Sequence, residues 1–267
     1  KGDGSECKSL FSLGAAQDHQ QVIEGGNDDS DDEDDREEIE LKKHPQFIID
    51  ALALHIPHKY FMQPALAVCS TCMASTEPQQ RKAGNFLLGV MTEGCADSLK
   101  TILDQIIQPV LNSLHDPENY VREVACFTLG QLSEFCQPEI LHHHSIILPQ
   151  IYQALDDPSI EVQYTSCYVI ESFCENLQPE TLKPMLNPLL TKLCTLMGSD
   201  LRMTQEMALS AIAAIAVASE IEFLPYTDTV CKILHPLLYK EEEQDMTLRG
   251  RALECLGHIA VGLGKDN

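Results

Sequence analysis

After Leu41 the apolar residues recur three and four positions apart, in runs of about 12–18 residues punctuated by Gly and Pro. That spacing lines up one face of a helix, whereas a strand would alternate every second residue, and no such alternation occurs. The pattern predicts an all-α chain.

The runs also repeat. Segments beginning near Arg81, Val121, Val162, Thr204 and Arg249 align on a small residue at Ala83, Ala125, Ser166, Ala208 and Ala252. Four residues later stand Leu87, Leu129, Ile170, Ile212 and Leu256, and three further on Val90, Leu132, Phe173, Ile215 and Ile259. The intervals between small residues are 42, 41, 42 and 44. All three positions share one helix face, and the small residue lets a neighbouring helix come close.

A second apolar helix precedes each of these, for example over 106–114 and 147–155. Asp116-Pro117 and Asp157-Pro158 mark the turn within a pair, with Pro read as opening the second helix. Gln137-Pro138 and Gln178-Pro179 mark the boundary between pairs. A helix pair of about 40–47 residues is the length of a HEAT or armadillo unit, and two helices with Pro in the first and Asp before the second favour HEAT. Such pairs stack into a right-handed superhelical solenoid with first (A) helices on the convex side and second (B) helices on the concave side. About five and a half pairs fit between 41 and 267, the half being a B-type helix over Phe47–His55. Apolar Ile259 and Val261 close to the C-terminus, and an N-terminus without Met, read as a piece of a longer array.

Residues 1–40 differ. Glu24 to Glu40 holds eleven acidic residues and one basic one, so it supplies −10 of the formal net charge of −23. Its centre is Asp28, Asp29, Asp31, Asp32, Glu33, Asp34, Asp35, Glu37 and Glu38. Such a run cannot bury enough apolar surface to offset its ordering entropy. It reads as a disordered segment or inter-helix loop, either solubilising or attractive to basic partners. The remaining −13 falls on the helical part. That charge argues against direct nucleic acid or anionic membrane binding, which needs Lys and Arg. No apolar run reaches the ~20 residues that span a bilayer, and the first residues lack the apolar core of a signal peptide.

The chemistry of an enzyme is missing. Phosphate-binding glycine loops, nucleophile elbows and HExxH are absent, and no cofactor is implied. Cys126, Cys136, Cys167, Cys174, Cys194 and Cys255 sit within apolar helical runs, as does Cys69-x-x-Cys72. They read as buried thiols of a reducing compartment, cytosol or nucleus. His142-His143-His144 reads as a linker; no metal site is expected. What remains is surface. Glu93, Glu134, Glu171, Glu175, Glu206 and Glu254 lie off the apolar face of the B helices, with Glu134 and Glu175 one repeat apart. Two readings stay open: ordinary solvated positions, or an acidic row that attracts a basic, extended partner.

The residues then carry a resemblance. Lys43–Pro57 (KHPQFIIDALALHIP), Gln80–Gly84 (QRKAG), Thr128–Glu134 (TLGQLSE) and Glu175–Pro179 (ENLQP) resemble B helices of the importin-β superfamily. Their order is most similar to the middle of the importin-four branch of karyopherins, over residues 40 to 267. The acidic run is similar to the acidic loop of these proteins. The resemblance implies a nuclear import receptor, not an enzyme, shuttling between cytoplasm and nucleus through the pore. It implies basic cargo, histones and ribosomal proteins, on an acidic concave face, Phe-Gly nucleoporins in convex grooves, and release by Ran-GTP. A monomer is the corresponding expectation. A HEAT scaffold of a multiprotein complex, such as a phosphatase, and an acidic histone-binding chaperone remain alternatives.

Overall fold

The computed structural model describes residues 46–264, and among them every regular element is helical. The A helices are α2 (His58–Met73), α4 (Leu103–Ser113), α6 (His144–Ala154), α8 (Pro179–Leu196) and α10 (Thr227–Leu237). Their B partners are α3 (Pro78–Lys100), α5 (Asn119–Phe135), α7 (Ile160–Cys174), α9 (Arg202–Ser219) and α11 (Met246–Leu263). Helix α1 (Gln46–His55) precedes them as a B helix. Short 3-10 turns over Glu139–His143 and Glu220–Tyr226 enter α6 and α10. The architecture is a HEAT-repeat solenoid.

Consecutive B helices pack directly on one another, while consecutive A helices touch little. A double layer tight on one side and splayed on the other curves towards the tight side, so the B helices line the inner face. Every A helix carries an internal proline: Pro64, Pro109, Pro149, Pro184 with Pro188, and Pro236. Each removes a backbone hydrogen bond from its helix.

The repeat register corrects the sequence alignment by one residue in the first unit. Ala83 is exposed and Gly84 buried; Leu87 is half-buried, whereas Leu88 and Met91 are 2% and 0% exposed. A β-carbon on Gly84 would collide with Cys72 and the Cys69 carbonyl of α2, so the close approach is made there. The true series is Gly84, Ala125, Ser166, Ala208 and Ala252. Leu129, Ile170 and Ile212 are core as expected, while Leu256 is half-buried.

The turns within pairs are held by a ladder. Arg122 Nε and Nη2 donate to Asp157 at 2.7 and 2.8 Å, and Arg122 Nη1 caps the Asp116 and Pro117 carbonyls. Arg81 repeats this with Asp116, and Arg202 pairs with Asp245 at 2.9 Å. Asp116 and Asp157 each accept an amide two residues on, from Glu118 and Ser159. Pro117 therefore lies in the turn; α5 begins only at Asn119, not at the proline. Gln163 and Gln205 stand in for arginine in later repeats, capping the Asp157 and Ser199 carbonyls.

One further difference concerns hydropathy. The stretch Arg202–Leu237 contains an 18-residue window of mean hydropathy 1.8, long and apolar enough to cross a membrane. Its place explains it: α9 is packed against α7, α8 and α11, with 67% of that window buried, so it is a core helix.

Candidate functional site

The inner face is built by four registers of the B helices. Counted from the small residue that faces the A helix, positions −2, +2, +5 and +9 lie about 140–200° round the helix, on its far side. Position +2 gives Phe86, Phe127, Tyr168, Ser210 and Glu254; position +5 gives Gly89, Gly130, Glu171, Ala213 and Gly257. The two registers interlock. A β-carbon on Gly89 would strike the Phe127 ring, and one on Gly130 the Tyr168 ring. Each glycine seats the ring of the next repeat, and Phe86 and Phe127 stack at 6.0 Å. Position +9 gives Glu93, Glu134 and Glu175, then Val217 and Val261.

The six glutamates are thus not one row. Glu93 is exposed; burial and the neighbouring charge of Asp50 raise its carboxyl above the ordinary range. Glu134 is half-buried and accepts a 2.9 Å bond from the Tyr168 hydroxyl, which itself accepts from Gln131 Nε2 at 2.6 Å. Its register equivalent Glu175 is exposed. Glu171 is half-buried, with its carboxyl turned inward: burial pushes it up to about 7, against the pull of Arg251 and with the repulsion of Glu254, Glu134 and Glu175. Its Oε2 is sealed from solvent without a hydrogen-bond partner. Glu254 is held by Arg251 Nη1 at 3.1 Å. Glu206 is half-buried, in the −2 register with Lys82, Glu123 and Tyr164, apart from the charges acting on Glu171.

The structure therefore keeps Glu93, Glu134 and Glu175 in one register, one repeat apart, lets Glu134, Glu175 and Glu254 act on Glu171, pairs the charge of Glu93 with that of Asp50, and sets Glu206 in another register. Sequence reasoning missed Asp50, Arg251 and the rings Phe86, Phe127 and Tyr168. The rings were findable, since they stand 41 residues apart, but the one-residue misalignment of the first repeat hid them. The acidic residues Asp28, Asp29, Asp31, Asp32, Glu33, Asp34, Asp35, Glu37 and Glu38 lie outside the described residues.

The outer face carries a cleft of about 330 Å³ between α4 and α6, lined by Leu111, Ile146 and Pro149 with Gln108, His115 and Gln150. Ile146 is 43% exposed, and His115 Nε2 meets Gln150 Oε1 at 2.7 Å across the groove.

The other candidates resolve locally. Burial pushes the thiols of Cys69, Cys126, Cys136, Cys174 and Cys255 up to about 12, and that of Cys167 higher still, so they are unreactive packing groups. Cys72 and Cys194 are half-buried. His142 and His143 end a 3-10 turn, and His144 opens α6. Among the described residues no group of three or more His, Cys, Asp or Glu is placed to hold a metal ion.

Comparison with known proteins agrees with this architecture. The family model of Cnd1, the non-SMC mitotic condensation complex subunit 1, matches residues 88–234, the regular middle of the solenoid; the chain belongs with the repeat proteins that model describes. The importin subunit beta-3 of Saccharomyces cerevisiae is 32% identical over 225 residues, 84% of this chain. The crystal structure of the karyopherin Kap121p bound to the SUMO protease Ulp1p superposes over 96% of the chain with a TM-score of 0.80 at 30% identity. The chain belongs to the importin-β superfamily. Human Importin-4 is also similar, 32% identical over 44% of this chain and 11% of that relative. The segment spans 21% of the length of importin subunit beta-3 and 24% of the Kap121p chain. Importins are transport receptors, not enzymes, in keeping with the absence of catalytic motifs. Kap121p has also been solved bound to Pho4p and to Nup53p.

Proposed function

We propose that this segment is part of a nuclear import receptor that binds Lys/Arg-rich cargo signals on its inner face. The observation that carries the reading is the acid row Glu93, Glu134 and Glu175, one repeat apart on the inner face of an importin-family solenoid. A basic extended peptide crossing three B helices would meet one carboxylate per repeat, and the excess negative charge would steer it there. Ring-floored ground between the acids suits the alkyl stems of Lys and Arg. Two other facts favour it. Kap121p, similar in fold and sequence, has been crystallised with several protein partners. It has also been crystallised as a variant in which three acids about one repeat apart are replaced by lysine.

Histones and ribosomal proteins are the cargo class this charge fits. The cleft between α4 and α6, with Leu111, Ile146 and Pro149 in its wall, receives a phenylalanine from Phe-Gly nucleoporins during passage through the pore. Ran-GTP then releases the cargo in the nucleus. The acidic segment at 28–38 acts as an electrostatic lure that speeds encounter.

The test is titration of a labelled Lys/Arg-rich import-signal peptide into the chain at several salt concentrations, with and without GTP-loaded Ran. Saturable binding that weakens with salt, and competes with an unlabelled import signal, supports the reading. Absence of binding at low salt overturns it and leaves the scaffold reading that the condensation-complex match favours.

A further inference from the structure

Successive helix pairs are fastened at two edges, and one step has neither fastening. At the turn edge an arginine of one B helix holds an aspartate of the next repeat: Arg81 with Asp116, Arg122 with Asp157 and, at the fourth step, Arg202 with Asp245. On the inner face a glycine seats the ring of the next B helix: Gly89 takes Phe127, and Gly130 takes Tyr168. The fourth step has instead a close approach of Gly262 to the Ala216 carbonyl. At the third step, between α7 and α9, both pairs change together. Gln163 and Ser199 stand where the first two steps have Arg and Asp, and Glu171 and Ser210 where they have Gly and a ring. Gln163 and Ser199 each bond within their own turn. Gln163 Nε2 donates to the Asp157 carbonyl at 2.7 Å, and Ser199 Oγ accepts from the Leu201 amide at 3.2 Å.

Apolar packing between α7 and α9 remains, but it is non-directional. A two-bond Arg–Asp pair fixes an angle, and so does a ring in a glycine notch. Helix α9 carries six alanines between 208 and 218, which give it shallow ridges over which a neighbour slides at little cost. The outer layer of the same step carries a tie of another kind. Lys192 of α8 reaches the end of α6, where its Nζ donates to the Tyr152 carbonyl at 2.6 Å and pairs with the Asp156 carboxylate. The same Nζ sits 3.4 Å from the centre of the Tyr152 ring. The lysine side chain is 15% exposed, so its charge is held out of water by these three partners.

We propose that the α7–α9 step is a joint on which the first three helix pairs turn as one body against the last two, and that Lys192 is the latch that holds it closed. Each pair in a solenoid touches only its neighbours, so one loose step moves everything beyond it. The B layer stays packed and serves as the pivot, while in the outer layer α8 swings away from α6, a small sliding of packed helices. The first two steps do not follow, because each has both fastenings. The inner face changes its curvature at the joint: Glu93, Glu134 and Glu175 lie before it, Glu206 and Glu254 beyond it. This motion belongs to the chain itself and holds whatever the inner face binds.

The experiment measures distances in the whole chain by pulsed electron resonance between spin labels on non-natural residues, since 11 cysteines rule out thiol labelling. Thr71, Asn112, Gln153 and Thr195 are exposed and stand one repeat apart on α2, α4, α6 and α8. The pair Thr71–Gln153 spans the two fastened steps, and the pair Asn112–Thr195 spans the joint. Lys192→Met is expected to lengthen the Asn112–Thr195 distance and broaden its distribution about twofold, leaving Thr71–Gln153 unchanged. Asp156→Asn alters a side chain 68% exposed, so it keeps the fold, and is expected to move the same pair the same way by less. Adding Gln163→Arg with Ser199→Asp to Lys192→Met rebuilds the missing rung and is expected to narrow the distribution again. A wild-type Asn112–Thr195 distribution in both folded Lys192→Met and Asp156→Asn overturns the joint. Equal broadening of Thr71–Gln153 overturns it too, because the whole solenoid would then be loosening.

Discussion

The same residue type has two fates on the two edges of this solenoid. Along the turn edge, Asp116, Asp157 and Asp245 each meet an arginine, and their side chains are 7–11% exposed. Burial works to raise the Asp116 carboxyl, but the bonds from Arg81 and the Glu118 amide outweigh it and hold it below the ordinary range. Along the inner face, Glu93 and Glu171 face other acids, and their carboxyls are raised. Turn-edge acids lower the energy of the fold; Glu93 and Glu171 on the inner face are carried at its expense. In a chain so rich in Asp and Glu, charge alone does not mark a binding surface.

The largest expected effect tests the scaffold that both edges share. Leu129 is 0% exposed in α5, between the Arg122–Asp157 rung and Glu134. Leu129→Ala should cost about 2–5 kcal/mol in urea unfolding. A loss below about 0.5 kcal/mol would mean that Leu129 is not a core residue and that the repeat register is wrong.

The next effect separates the edges directly. Asp157→Ala removes two charge-assisted bonds to Arg122 and the acceptor for the Ser159 amide. It should cost about 2–3 kcal/mol, less than the 3–5 kcal/mol of a fully buried broken pair, because Arg122 keeps two backbone carbonyls as partners. Basic-peptide affinity measured on the folded variant should stay unchanged. A drop in affinity with stability intact would reverse the roles assigned to the two edges.

How far the sequence carries this contrast depends on range. The 41-residue spacing made the fold legible because every repeat reuses one packing solution, and local periodicity records it. The register slipped where the first repeat doubles its cues: Ala83 and Gly84 are both small, Leu87 and Leu88 identical, Val90 and Met91 both apolar. Only the contact of Gly84 with α2 decides between the frames. Glu134 and Glu175 look equivalent in sequence and are not, because Tyr168 reaches the first and no ring follows the second. The pull of Arg251 on Glu171 joins residues 80 positions apart, through curvature that no local pattern encodes.

A smaller effect has the opposite sign. Glu171 has a raised carboxyl, so between the ordinary value of 4.5 and about 7 the folded chain binds more protons than the unfolded one. Its contribution therefore lowers stability as pH rises through that window and levels off above it. Glu171→Gln should stabilise the chain by about 1–2 kcal/mol at pH 8 and by almost nothing at pH 4.5, after discounting for partial solvent screening. Unfolding curves of both proteins at the two pH values check this. Equal differences at both would mean that packing, and not charge, sets the cost.

The smallest effect on stability is the most telling for function. Glu134→Lys with Glu175→Lys reverses two charges in the +9 register. Glu175 is exposed, so its replacement should change stability by less than about 0.5 kcal/mol. Glu134→Lys adds the loss of the Tyr168 bond, about 1–2 kcal/mol for a charged acceptor, so the double variant should still fold. Affinity for a Lys/Arg-rich peptide should fall several-fold and its salt dependence should flatten, because two attractive charges become repulsive. The singles then sharpen the contrast within the inner face. Glu175→Lys alone should weaken binding without touching stability, whereas Glu134→Lys should do both, since one acid is free to meet a ligand and the other is already engaged with its neighbour. If neither single weakens binding, the exposed acids are solvated surface, and the contrast between the two edges says something about folding but nothing about cargo.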